Sequence, residues 1–242
     1  MVSESAAFRD RPLSFVRRNG RMTDGQERAW SDLAPRYVIE APRDAAATSI
    51  RPGAAIVPSE VWGRHAPLVV EIGSGQGHAI IHAAASRPDL DFLAIEVFVA
   101  GLARTMLDAD RAGVENLRLV EANAPEVLAH LLPPASVDEL WVFFPDPWHK
   151  TKHTKRRLVT AEFAATAAGA LRDGGTLRLA TDWEQYARQI RDVLDAAPQF
   201  SRAFEGEWAD RFDGRVLTAF ERKGSRAGRA IRDLAYTRRG RD

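Results

Sequence analysis

The chain contains no cysteine. Disulfides, thiolate metal sites and a cysteine nucleophile are therefore excluded. Long apolar runs are missing too: no stretch approaches the ~20 residues that cross a bilayer as a helix. The opening residues, MVSESAAFRD, hold no apolar h-region, so no secretory signal is visible. No G-x-x-x-x-G-K-[ST] segment occurs, which excludes a P-loop. Net charge is almost absent, at +1 over 242 residues. These absences set the expectation of a cytoplasmic protein without a membrane partner.

What is present is a 45% hydrophobic composition, enough for a sizeable core. One α/β domain with an extension, or two small domains, both fit. The near-zero net charge hides local imbalance. Residues 149–157 (HKTKHTKRR) carry five Lys/Arg and no acid, and 222–242 carry eight Lys/Arg against Asp233 and Asp242. A locally basic face points to a polyanionic partner; a solvated surface is the structural alternative.

Residues 1–60 read as an irregular basic arm, with arginines throughout and prolines at 12, 35, 42, 52 and 58. One short helix is expected around 23–33, with Thr23 as its cap. From 61 to 224 strands alternate with helices. Strands are expected at 68–72 (LVVEI), 91–97, 117–122, 137–144 (VDELWVFF) and 176–181 (TLRLAT). Helices fall at 79–86, 98–112, 125–132, 156–171 and 183–197, the fourth ended by Asp173-Gly174-Gly175. A further strand is expected at 216–222, beside a partner near 203–208, and residues 225–242 read as an Arg-rich tail. Such alternation implies an α/β fold of parallel strands with right-handed crossovers. Ligands in these sheets bind beyond the carboxyl ends of the strands.

Each of the five strands closes on polar groups. The first leads into Glu71-Ile72-Gly73-Ser74-Gly75-Gln76-Gly77. Glycines at every second position let the backbone turn sharply and approach a ligand. The dinucleotide pattern G-x-G-x-x-G fails by one residue, because His78 fills the third slot. A carboxylate at Glu71 would repel a pyrophosphate and suit a positively charged ligand. Glu96, after strand two, can accept both hydroxyls of a ribose. Asn123, after strand three, can read an adenine edge. Strand four ends in Asp146, between Pro145 and Pro147, and strand five in Thr181-Asp182. A helix cap is the structural alternative for Asp182. For the glycines it is an ordinary turn.

This layout resembles the S-adenosylmethionine-dependent methyltransferases of the seven-stranded type. A finer resemblance, over about Gly20 to Gly224, is to the bacterial tRNA (guanine-N7-)-methyltransferases. It rests on RMTDGQERAW (21–30), EIGSGQG (71–77), FFPDPWHKTKHTKRR (143–157), ATDWEQYA (180–187) and TAFERKG (218–224). The resemblance implies a class I methyltransferase (Rossmann-like) fold: a seven-stranded mostly parallel sheet, helices on both faces and antiparallel C-terminal strands. It implies S-adenosyl-L-methionine as cofactor, bound by Glu71, Gly73, Gly75, Glu96, Asn123 and Asp146. Substrate contact falls on Lys150, Asp182, Thr218, Ala219, Phe220 and Glu221. RNA contact falls on Lys152, His153, Thr154, Lys155, Arg156 and Arg157. The family commonly carries Asp at the position of Asn123, which here keeps an acceptor and adds a donor. The implied partner is tRNA, modified at a guanine of the variable loop; monomer and homodimer both stay open.

Guanine N7 carries a lone pair and no proton, so its attack on a methyl needs alignment and no general base. Positive charge develops on the purine, and a nearby carboxylate favours it. Asp146, held between prolines, is the candidate catalytic residue; Asp182 is the alternative. Trp148 reads more readily as core than as a base-stacking residue. His149 and His153 have no evident third ligand, so no metal is expected. The competing functions are a methyltransferase for another RNA or a small molecule, and an RNA-binding protein with a degenerate cofactor site. A nicotinamide-dependent oxidoreductase is disfavoured by the glycine spacing.

Overall fold

The computed structural model describes residues 13–15, 22–217, 221 and 228–241. Its centre is β1 (Leu68–Ile72), every residue of which is buried. Such a strand needs apolar cover on both faces, as its run of Leu and Val allows. β1 pairs in parallel with β2 (Asp91–Glu96) and with β4 (Val137–Phe143). β3 (Leu117–Glu121) lies outside β2, and β5 (Leu171–Thr181) outside β4. β6 (Phe200–Arg202) and β7 (Arg232–Arg238) finish the sheet in antiparallel sense. The strand order is β3-β2-β1-β4-β5-β7-β6, the expected mostly parallel seven-stranded sheet with antiparallel C-terminal strands.

Alternate strand residues feed two cores. On one face Val69, Phe92 and Trp141 pack against α1 (Asp24–Tyr37), α3 (His78–Ser86) and α4 (Val99–Arg111). On the other, Leu68, Val70 and Ile72 pack with α5 (Ala124–Glu126) and its π-helical continuation Val127–Leu131, and with α6 (Ala161–Ala170) and α7 (Glu184–Asp195). A five-residue helix, α2 (Pro58–Trp62), precedes β1. In α7, Tyr186, Ala187, Ile190 and Leu194 form the buried stripe that helical spacing requires. Each fully buried Leu or Ile contributes about 1.5–3 kcal/mol relative to exposure. Trp141 is fully buried, with its ring centre 6.4 Å from Phe92, 5.6 Å from Phe143 and 5.3 Å from Phe212. This cluster anchors the end of β4, from which the Pro-Asp-Pro turn departs.

Within the stretch expected as an arm, α1 starts at Thr23, whose side chain and Gln26 form a reciprocal capping box. Such a cap is worth ~1 kcal/mol. Tyr37 at the helix end is fully buried and donates to the carbonyl of Val114 at 2.9 Å.

Three boundaries differ from expectation. The helix expected over 156–171 is a 3-10 helix at Thr151–Arg156, a break, and then α6, capped by Thr160. The break is fixed because Arg157 and Val159 turn inward and are buried. β5 begins at Leu171, so Asp173-Gly174-Gly175 is an irregularity in the strand and not its boundary. Gly174 sits at φ +73, and a Cβ on Gly175 would meet the Arg172 carbonyl at 2.9 Å. The strand expected at 216–222 is absent at Val216 and Leu217, and 218–220 lie outside the described residues. The inner antiparallel strand is β7, inside the stretch read as a tail.

Candidate active site

The strand ends are level. Ile72 pairs with both Ile95 and Val142, Phe143 with Ala180, and Thr181 with Arg232. Residues that follow these positions therefore line one edge of the sheet. Gly73, Gly75 and Gly77 all have positive φ, at 72°, 59° and 75°. Gly77 must be glycine for a second reason: a Cβ there would meet the Thr105 side chain at 2.4 Å. Its backbone opens α3 directly behind the loop.

Glu71 lies beneath this loop, 4% exposed. Burial, then the charge of Glu96, push its carboxyl up to about 8 against a lowering hydrogen bond from the Ile80 backbone. Its Oε2 and the Oγ of Ser74 are buried without a hydrogen-bond partner. Two orphaned polar atoms under a glycine loop fit a ligand that brings a cationic group and a donor. Glu96 is held by three backbone amides: Gly75 at 2.8 Å, Val97 at 2.6 Å and Phe98 at 3.0 Å. This fastens the end of β2 to the β1 loop. Asn123 is buried, and its Nδ2 donates to Glu126 Oε1 at 2.9 Å. Glu126 Oε2 in turn accepts from the Ile50 backbone at 2.9 Å. Asn123 opens onto a cavity of about 140 Å³ whose wall includes Ser14, Lys155 and Arg157. A larger groove, about 750 Å³, runs between α6 and α7, with Arg157, Gln185 and Gln189 in its wall.

Asp146 is exposed on a turn flanked by two left-handed residues, Phe144 at φ 52 and Trp148 at φ 45. Non-glycine residues there carry strain, which the surrounding structure must hold. Lys150 follows, exposed, and caps the 3-10 helix. His149 lies 4.1 Å, ring to ring, from Trp183, so the β4 and β5 loops touch. Asp182, beside Trp183, makes no helix cap. It accepts from Arg229 Nε at 2.7 Å, and Trp183 is the N-cap residue. Trp148 is half-buried and not core. Its indole N–H donates to the Ser14 carbonyl at 3.1 Å, and the Arg156 guanidinium lies 3.8 Å over its ring.

The basic run divides. Lys152 and Lys155 are exposed, and His153 and Thr154 are half-buried. Desolvation, then the cations of Lys152, Arg156, Lys150 and Lys155, hold His153 below its ordinary value. Arg156 donates to the carbonyls of Leu13 at 2.9 Å and Phe15 at 3.1 Å. Arg157, expected at RNA, is instead 3% exposed and hydrogen-bonded inside the protein.

Glu221, expected at the substrate, is likewise buried. It accepts from Arg215 at 2.6 Å and from Arg211 at 3.0 Å, and Arg215 also bridges to Asp233 on β7 at 2.8 Å. A buried arginine needs such carboxylates, and Glu221 serves one. Thr218, Ala219 and Phe220, and the arm cations Arg17, Arg18 and Arg21, lie outside the described residues. Sequence reasoning missed Glu126 and Arg229. The Asn-x-x-Glu spacing signals the first; no local pattern signals the second. Among the described residues, no three His, Asp or Glu converge as a metal site. No described helix is long and apolar enough to cross a membrane.

This sheet order, with a glycine loop over a buried acid after β1, defines an S-adenosylmethionine-dependent methyltransferase of class I. Solved structures share the fold. The 16S rRNA (adenine(1408)-N(1))-methyltransferase from Catenulisporales acidiphilia, with cosubstrate SAM, superposes at TM-score 0.54, 17% identity, covering 77% of this chain and 94% of that one. The aminoglycoside resistance methyltransferase NpmB1 gives 0.52 at 16% identity, covering 74% and 91%. Residues 65–234 match the family model Methyltransf_4, described as "Putative methyltransferase". The tRNA (guanine-N(7)-)-methyltransferase of Paenarthrobacter aurescens is 44% identical, over 95% of this chain and 92% of its own length. That of a Nocardioides species is 47% identical, over 94% and 88%. The chain belongs to the tRNA (guanine-N(7)-)-methyltransferase family.

Proposed function

We propose that the protein transfers the methyl group of S-adenosyl-L-methionine to N7 of a guanine in the variable loop of tRNA. The observation that carries this reading is the strained Pro145-Asp146-Pro147 turn. It holds an exposed carboxylate at the end of β4, with exposed lysines directly after it. The relatives' shared activity supplies the substrate class.

When bound, the cofactor supplies an electrophilic methyl on a sulfonium. Glu71 receives its cationic amino-acid end, and Gly73 and Gly75 let the backbone lie close. Glu96 meets the ribose and Asn123 the adenine. Guanine N7 loses no proton in its attack, so the chain provides alignment, a contribution that reaches ~7–11 kcal/mol in good cases. Asp146 orients the guanine through its N1–H and N2–H and favours the positive charge forming on the purine. Lys150 and Asp182 complete the substrate side. Lys152, His153, Thr154, Lys155 and Arg156 contact the RNA; phosphate contacts set register while the pocket selects the base.

The test is incubation with unmodified tRNA and methyl-labelled cofactor, followed by chain cleavage specific for N7-methylguanosine. Cleavage at one variable-loop guanine is expected. Label at another atom, or none with folded protein, contradicts the reading.

A further inference from the structure

Arg157 sits in a run of cations, but its surroundings differ from those of its neighbours. Only 3% of it is exposed. Its Nε donates to the Pro147 carbonyl at 2.8 Å, Nη1 to Gln189 Oε1 at 2.6 Å and Nη2 to Gln185 Oε1 at 3.2 Å. Its Cζ lies 4.8 Å from the centre of the Tyr186 ring. Gln185, Tyr186 and Gln189 share one face of α7, since Gln189 lies three and four residues beyond the other two. The same face grips the chain just beyond Arg157. Tyr186 Oη accepts from the Val159 amide at 3.1 Å, and Gln189 Nε2 donates to the Val159 carbonyl at 3.4 Å.

We propose that Arg157 is a positioning residue for Asp146: it fastens the Pro145-Asp146-Pro147 turn to α7 and does not contact the RNA. The proposal rests on the reading of Asp146 given above. A turn with left-handed Phe144 and Trp148 at its ends persists only where surrounding groups over-determine it. Arg157 supplies that restraint one residue from the acid. Its planar fork meets three acceptors in different directions, which a lysine ammonium cannot reproduce from the same position. A guanidinium only 3% exposed and already donating to three protein acceptors also has little solvent-facing charge to exchange for counterions at a phosphate.

The test uses the full chain and unmodified tRNA, with Arg157→Lys and the pair Gln185→Leu/Gln189→Leu, which leaves the charge at 157 in place. Two quantities are read: the tRNA dissociation constant across a salt series, and the single-turnover transfer rate at saturating tRNA and cofactor. Arg157→Lys is expected to slow transfer about tenfold or more while binding stays within about twofold and the salt slope is unchanged. The glutamine pair should act in the same direction. In an Asp146→Ala background, Arg157→Lys should add little, because two residues acting as a unit are non-additive. General destabilisation would instead multiply with the loss at Asp146. Wild-type transfer in Arg157→Lys, or multiplication in the double variant, overturns the proposal. If Asp146→Ala is inactive and Arg157→Lys is normal, this proposal falls alone. If Asp146→Ala transfers normally, the reading of Asp146 falls and takes this one with it.

Discussion

Replacing Glu71 by glutamine should stabilise the cofactor-free protein and weaken its hold on the cofactor. Burial and Glu96 raise the Glu71 carboxyl from 4.5 to about 8. In the unfolded chain the group loses its proton near 4.5; in the folded protein it keeps it to about 8. Between those limits the folded state binds the extra proton, so stability falls as pH rises, by about 1.4 kcal/mol per unit. The full window corresponds to about 5 kcal/mol, and the part reached at pH 7 to about 3 kcal/mol. Glutamine is neutral throughout and escapes this loss. Urea unfolding of both proteins at pH 5, 6, 7 and 8 reads the difference directly. Their stabilities should be similar at pH 5 and diverge in favour of Glu71→Gln toward pH 8. Cofactor affinity should move the other way. A cationic ligand requires ionised Glu71, so wild-type binding releases a proton below about pH 8. The wild-type advantage over Glu71→Gln should grow with pH up to that point, by at most about tenfold per unit. The ratio of the two affinities cancels titration of the cofactor itself. Parallel stability curves from pH 5 to 8 would show that Glu71 is ionised in the folded protein and would refute the reasoning.

Other consequences follow from the same side chains. Replacing Lys152 and Lys155 by Ala should weaken tRNA binding and flatten its salt dependence, by roughly 0.7–0.9 in the log–log slope for each phosphate left without its lysine. An unchanged slope would remove both lysines from the interface. Arg215→Ala leaves Asp233 buried without its cation and Glu221 without its shortest ion pair, with Arg211 still in contact, and should cost about 3–5 kcal/mol in denaturant unfolding. A cost under about 1 kcal/mol would mean that this network is solvated. Arg241 donates to the carbonyls of Ala168, Gly169 and Leu171 at the end of α6. Its replacement by Ala should cost roughly 1–3 kcal/mol, read as a lowered melting temperature with transfer unchanged.

The parallel half of the sheet was legible because each strand carries a short, buried apolar run with a glycine or a polar residue at or soon after its end. The strand-end residues were legible for the same reason: once the strands are placed, the register brings Glu71, Glu96, Asn123, Asp146 and Asp182 to one edge. The antiparallel end was hidden. VLTAFER has the composition of a strand, whereas RDLAYTR carries an acid in a buried position, which is tolerated only because Arg215 reaches it from 18 residues away. The basic run hid a different fact. Lys152, Arg156 and Arg157 look alike in sequence, but the inward turn before α6 sends Arg157 to Pro147 and α7 and leaves the lysines in solvent. Side-chain direction follows from the break at 157–160, and local composition does not encode it. Asp182 shows the same limit, since its partner Arg229 comes from a distant segment.

The central claim is that Asp146 acts in the transfer step and not in holding the RNA. Asp146→Ala, assayed for tRNA affinity and for single-turnover transfer with both substrates saturating, tests it most directly. The account expects transfer to fall on the order of 100-fold while affinity changes by less than about threefold. Equal loss in both quantities, or transfer at the wild-type rate, would contradict it.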